Sequence, residues 1–203
     1  MNNMSKNTII TDHIRTADMF RKSFPAIALS NYTKALSFLY DTENKYSYET
    51  PLSRSDDNYD GIIRARDFIL VKIEKYPEET AYVLTNLIIV NDKLYAPYVM
   101  RGLARMRTTE LRNGIHDILV GIKECPMFAK DLFDYLIDED NATDLYYLFR
   151  GLTFGSLGKM AEAGYNINFF FDMNPDSKNR LQSQSDSEQV DTINLFRELM
   201  ENI

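Results

Sequence analysis

Tryptophan is absent from this chain, and its 203 residues hold only one cysteine and two histidines. A lone thiol, Cys125, excludes an intramolecular disulfide and fits a reducing compartment, so a cytoplasmic location is expected. One cysteine and two histidines do not supply the ligand set of a Cys/His zinc site, and neither metal nor cofactor is expected. Long apolar runs are missing too. None approaches the roughly 18 residues that span a bilayer, so no membrane partner is expected. The N-terminal stretch MNNMSKNTIITDHIR lacks the apolar segment of a secretory signal. No segment sustains the period-two alternation of a half-buried strand. The best strand candidate is residues 166–173, NINFFFDM.

Aromatic residues are plentiful, with 12 Phe and 13 Tyr, and 44% of the chain is apolar against 26% charged. That composition builds a core and excludes global disorder. The net charge of −7 is unevenly spread. Residues 1–112 carry 16 basic and 14 acidic side chains, whereas residues 113–203 carry 7 and 16. An acidic C-terminal half disfavours broad contact with a phosphate backbone, keeps the chain soluble and can steer a basic partner.

Three prolines, Pro77, Pro126 and Pro175, stand 49 residues apart, and the sequence around them recurs in the same register. Arg101-Gly102-Leu103 returns as Arg150-Gly151-Leu152. Ile69-Leu70-Val71 returns as Ile118-Leu119-Val120. Ala65, Gly114 and Ala163 are all small, and Asn86-Leu87-Ile88 precedes Tyr135-Leu136-Ile137 by the same offset. The first copy is degraded by Pro51 and a Ser/Asp/Asn stretch. Within each copy the apolar spacing is helical: Val99, Leu103 and Met106 form one stripe, Ile115, Ile118, Leu119 and Ile122 a second, and Phe128, Leu132, Phe133, Leu136 and Ile137 a third. The pattern predicts helices over 12–23, 26–40, 59–75, 78–90, 96–107, 110–124, 127–139, 143–155, 159–172 and 190–203. The offset assigns 166–173 to a helix rather than a strand.

Residues 95–126 and 144–175 resemble tetratricopeptide (TPR) repeats. In the second, Tyr147, Gly151, Phe154, Ala163 and Pro175 occupy the pattern's aromatic, small and proline positions; in the first, Tyr98, Gly102, Gly114 and Pro126 do so. The 49-residue offset exceeds the 34 of that family, so each unit carries an extra helix, and Arg105 stands where the pattern has an aromatic. The resemblance implies an all-α, right-handed TPR-like α-solenoid with a protein-binding role. Small residues let antiparallel helices approach, so Gly102 is expected to face Gly114, and Gly151 to face Ala163. The side chains that clamp a peptide carboxylate in some members are apolar here, which disfavours C-terminal-peptide recognition.

Motifs for chemistry are weak. In Gly155-Ser156-Leu157-Gly158-Lys159-Met160, Thr153 stands where a phosphate loop needs its first glycine and Met160 where it needs Ser or Thr. Asp138, Asp140 and Asp144 begin like a calcium loop, but Thr143 and Phe149 occupy its glycine and glutamate positions. Asp131, Asp134 and Asp138 share a helical face, read as solvated. His116 is expected on a helix surface and Cys125 packed and inert. No nucleophile–base pair emerges, and no enzymatic activity is expected.

The expected work is that of a non-catalytic protein–protein interaction scaffold or adaptor. Val99, Leu103, Met106, Leu148 and Leu152 are candidates for lining its contact surface. Arg105, Arg107, Arg112 and Tyr95 are candidate polar contacts. On one continuous helix Arg101, Arg105 and Arg112 would lie within about 40° of one another, and Asp117 sits opposite Arg101 as an ion-pair partner. The expected organisation is a single helical-repeat domain over 1–175, a flexible linker over 176–189 and an amphipathic docking helix over 190–203, anchored by Ile193, Phe196, Leu199 and Met200. Two alternatives stay open: an assembly protein of a virus or mobile element that forms homo-oligomers through its tail helix, and a nucleic-acid-binding regulator using the arginine stripe.

Overall fold

A computed structural model describes residues 6–40, 58–139 and 143–176. Among these residues there are nine helices and no strand: α1 Lys6–Phe20, α2 Pro25–Tyr40, α3 Tyr59–Lys75, α4 Pro77–Val90, α5 Ala96–Met106, α6 Leu111–Glu124, α7 Pro126–Asp138, α8 Asp144–Ser156 and α9 Met160–Met173. Residues 166–173 are helical. The chain divides into two compact units, Met1–Cys125 and Pro126–Ile203.

The prolines explain the sharp corners. A proline's ring pushes the preceding residue out of helical geometry, while the proline itself fits the first turn of the next helix. Tyr76, Cys125 and Asn174 precede the three evenly spaced prolines. Their backbones are nearly the same, at φ/ψ of −143/59, −141/60 and −130/65. The Tyr76 and Cys125 N–H groups donate to the carbonyls of Lys72 and Gly121, closing α3 and α6. Helices α7, α8 and α9 begin 49, 48 and 49 residues after α4, α5 and α6.

In the first unit α1 packs on α2, α2 on α3, α4 on α5 and α5 on α6. Ile10, Tyr32, Leu36, Ile69, Ile73, Leu84, Met100, Ile118 and Ile122 are fully buried there. The expected start of α1 at residue 12 is corrected to Lys6. Thr11 and Asp12 are helix-starting types, but the Thr11 and Thr16 hydroxyls donate to the carbonyls of Asn7 and Asp12 inside the helix. Ile10, Ile14 and Ala17 then continue one buried stripe. Tyr32 of α2 is fully buried and donates to Asp18 of α1 at 2.5 Å. Burial first, then that hydrogen bond, pushes its pKa up to about 12.

In the second unit α8 packs on both α7 and α9. The core is aromatic: Phe133 stacks on Phe149 at 5.5 Å and tilts against Tyr146 at 6.2 Å. The α8–α9 connection passes through Gly158 at φ 74, the left-handed region glycine tolerates.

Candidate functional site

Glycines mark close helix crossings, and at one of them two glycines face each other. A Cβ on Gly102 would sit 2.6 Å from the Gly114 carbonyl oxygen, and one on Gly114 2.8 Å from the Gly102 oxygen. A Cβ on Gly151 would meet the Ile167 side chain at 2.6 Å and the Ala163 carbonyl at 3.2 Å. Gly121 makes a third close approach, against the Val99 side chain. The recurring pattern contains no sign of it, because Phe170 stands at the position 49 residues on.

Beside the Gly102–Gly114 crossing, Asp117 accepts from two arginines. Arg101 binds it with two hydrogen bonds, Nη2 to Oδ1 at 2.7 Å and Nε to Oδ2 at 2.8 Å. Arg105 Nη1 reaches Oδ2 at 2.7 Å. The Asp117 side chain is 4% exposed. Arg101 also donates to Thr85 at 3.3 Å and lies 5.2 Å from the centre of the Tyr98 ring. Arg105 is held a second time by Glu110 at 3.2 Å, and Arg107 pairs with Glu74 at 2.6 Å.

These contacts correct the expected arginine stripe. The helix breaks between Met106 and Leu111, so Arg112 starts a new helix and is exposed, no longer in line with Arg101 and Arg105. Arg105 and Arg107, expected to be available to a partner, already face carboxylates.

The second unit builds the same constellation 49 residues on. Arg150 Nε donates to Asn166 Oδ1 at 2.7 Å, its Nη1 lies 3.4 Å from Asp134, and it sits 5.4 Å from the Tyr147 ring centre. Thus Tyr98, Arg101, Asp117 and Thr85 correspond to Tyr147, Arg150, Asn166 and Asp134. Outward of this core the positions differ. The Arg105–Glu110 ion pair is replaced by Lys159 lying 5.9 Å over the Phe154 ring. Asp131 and Asp134, read as a solvated acidic face, are bound by Lys130 at 3.1 and 3.0 Å. Burial works to lower the Lys130 ammonium pKa, and the hydrogen bonds and charges of Asp134 and Asp131 outweigh it, so the net shift is upward.

The apolar candidates fare differently. Val99, Leu103 and Leu152 are 0%, 4% and 1% exposed, which corrects their expected place on a contact surface: their stripes are covered by neighbouring helices. Met106 and Leu148 are half-buried, and so is Tyr95, whose ring lies 6.3 Å from that of Tyr98. Ile193, Phe196, Leu199 and Met200 lie outside the described residues, as does the expected linker beyond Asp176. His116 is exposed and Cys125 buried. Among the described residues no group of three His, Cys, Asp or Glu is placed to hold a metal ion.

What the surface does offer lies on α4. Its sequence is apolar on nearly every side. Leu84, Leu87 and Ile88 are buried, whereas Tyr82, Ile89 and Val90 are 70%, 75% and 81% exposed. An open cleft of about 700 Å³ adjoins α4 and is lined by Glu78, Tyr82, Thr85, Arg105, Arg107 and Glu110, among others. This second apolar face lies off the main buried stripe of α4, and its signal in the sequence is the run Leu87-Ile88-Ile89-Val90. The chain matches no family model, no curated protein and no solved structure.

Proposed function

We propose that the chain is a non-catalytic interaction scaffold built from TPR-like helical units of three helices, α4–α6 and α7–α9. One observation carries this reading. The Tyr–Arg–Asp/Asn lock and its glycine crossing recur 49 residues apart, while the residues outward of the lock change from Arg105–Glu110 to Phe154–Lys159 and from Tyr82 to Asp131. A constant interior with a varied exterior lets repeated units keep one internal geometry and present different side chains to partners. The contact surface in this reading is the exposed strip Tyr82, Ile89 and Val90 on α4, because a large exposed apolar group is a cost that burial against a partner removes.

The test is capture of partners by wild type and by Ile89→Glu/Val90→Glu, with identification by mass spectrometry and melting as a control. The scaffold reading expects discrete partners lost in the variant at an unchanged melting temperature. Open-ended light scattering that rises with concentration would favour the assembly protein. Binding to nucleic acid with a steep salt dependence would favour the regulator.

A further inference from the structure

The turn between α1 and α2 concentrates exposed apolar and basic groups. Met19, Phe24 and Ile27 are 71%, 56% and 43% exposed, and the Phe24 ring meets Phe20 edge-on at 5.9 Å. Between them stand Arg21, Lys22 and Ser23, all exposed. From Met19 to Ile27, MFRKSFPAI, there is no acidic residue. The nearest one in sequence, Asp18, is engaged by the Tyr32 hydroxyl and by Arg64 at 3.2 Å. Among the described residues, neither Arg21 nor Lys22 forms an ion pair. The turn is also firmly built. The Phe24 N–H donates to the Phe20 carbonyl at 2.8 Å, and the Phe24 carbonyl accepts from Ile27 and Ala28.

From this juxtaposition we infer that the α1–α2 corner docks on an anionic lipid surface, inserting Phe24, Met19 and Ile27 among the headgroups while Arg21 and Lys22 pair with lipid phosphates and carboxylates. Aromatic and aliphatic groups at the interface, flanked by cations, are the chemistry of peripheral membrane contact. Size and charge favour lipid over a protein. A stable protein interface takes about 20–30 residues a side, and this corner presents nine in a single convex turn, whereas a bilayer needs only the tip. Arg21 and Lys22 form no ion pair among the described residues, and Asp18, the one acid beside them on α1, is already engaged by Tyr32 and Arg64, so both cations remain to complement an anionic surface. No helix among the described residues is long and apolar enough to cross a membrane, so the contact is peripheral.

The chain's lack of tryptophan makes the test direct. Phe24→Trp places a single indole at the tip, and Tyr165→Trp places one at an exposed site, 67% accessible, in the second unit. Each full-length variant is mixed with vesicles of equal parts phosphatidylserine and phosphatidylcholine, and with phosphatidylcholine vesicles alone. The proposal expects a blue shift, and quenching by brominated acyl chains, for the Phe24→Trp indole on the anionic vesicles only, and neither for Tyr165→Trp. In co-sedimentation, Arg21→Gln should lower partitioning about fivefold, the worth of one basic residue at such a surface, and Phe24→Ser should lower it further. Both positions are exposed, so melting temperatures should not change. No co-sedimentation, equal binding to neutral vesicles, or an equal shift at both indoles overturns the proposal. So does capture of a protein through residues 19–27 with no vesicle binding.

Discussion

The two units solve one problem in two ways. In each, an arginine on the middle helix must be held at a close crossing of two helices. In the first unit the acceptor is a carboxylate, Asp117, shared by Arg101 and Arg105 and almost wholly buried. In the second it is a carboxamide, Asn166, and the charge of Arg150 is balanced from the neighbouring helix by Asp134. The geometry survives the exchange of Asp for Asn, because both present an oxygen at the same reach. The energetics do not. A buried carboxylate between two guanidinium groups is costly to desolvate and more costly to leave half-paired. A neutral amide gives up less water and can fail more gently. The first crossing is therefore an all-or-none element and the second a graded one.

The largest expected effect breaks the first crossing. Asp117→Ala leaves Arg101, only 11% exposed, without its carboxylate, while Arg105, at the edge of the open cleft, keeps Glu110. The loss of unfolding free energy should be about 3–5 kcal/mol, read from urea midpoints. Asp117→Asn, which copies the second unit, should lose clearly less. Equal losses for the two would mean that the charge contributes nothing beyond the hydrogen bonds.

Asn166→Ala tests the second crossing. It removes one hydrogen bond to a charged group, and Arg150 keeps Asp134 and the Tyr147 ring, so the loss should be about 1.5–3 kcal/mol. A loss as large as that of Asp117→Ala would erase the distinction between the two crossings.

Why Arg101 and Asp117 could be paired in advance, and Arg105 could not, is a matter of where helices end. Gly102 and Gly114 set the register of the α5–α6 hairpin, and that register alone brings positions 101 and 117 together. Aligning Arg105 with Arg112 assumed a continuous helix through residues 107–110, where the chain instead turns. Helix positions were legible because Pro77, Pro126 and Pro175 each force the same corner on the residue before them. The start of α1 was not, since Thr11 and Asp12 are as compatible with a helix interior as with a cap. Apolar spacing identified the stripes of Val99, Leu103 and Leu152 correctly. It carries no information about which neighbour covers a stripe, and all three proved to be covered from within.

The glycines sharpen the comparison through sterics rather than charge. An added methyl at Gly102 runs into backbone, the Gly114 carbonyl at 2.6 Å. At Gly151 the first obstacle is the Ile167 side chain, and the backbone stands off at 3.2 Å. The Gly114 carbonyl cannot yield without separating the helices. Ile167, β-branched and buried, has little rotamer freedom and yields only by a small shift, but the Ala163 carbonyl stands further off than its counterpart, at 3.2 rather than 2.6 Å. Gly102→Ala should therefore cost about 1–3 kcal/mol, and Gly151→Ala should fall at or below the lower end of that range. Melting temperatures of the two variants measured side by side decide it, and the reverse order would remove the steric account.

The smallest effect separates the crossings by pH. Arginine does not titrate in the accessible range, so the Arg101–Asp117–Arg105 lock should hold well into alkali. The second unit depends on Lys130, whose ammonium joins Asp131 to Asp134 and whose pKa is raised above the ordinary 10.5. A raised folded-state value means that the native protein holds this proton more tightly than the unfolded chain. The stabilisation is therefore complete below pH 10.5 and is lost as pH rises through the folded value, with a slope of at most about 1.4 kcal/mol per pH unit from this one group. Urea midpoints of wild type and Lys130→Arg, measured on either side of pH 10.5, isolate it. The arginine variant keeps a cation on Asp131 and Asp134 at all these pH values, so the difference between the two proteins should open only on the alkaline side. A difference that stays constant across the whole range would assign the effect of the substitution to packing of the side-chain stem and leave the two crossings equally indifferent to alkali.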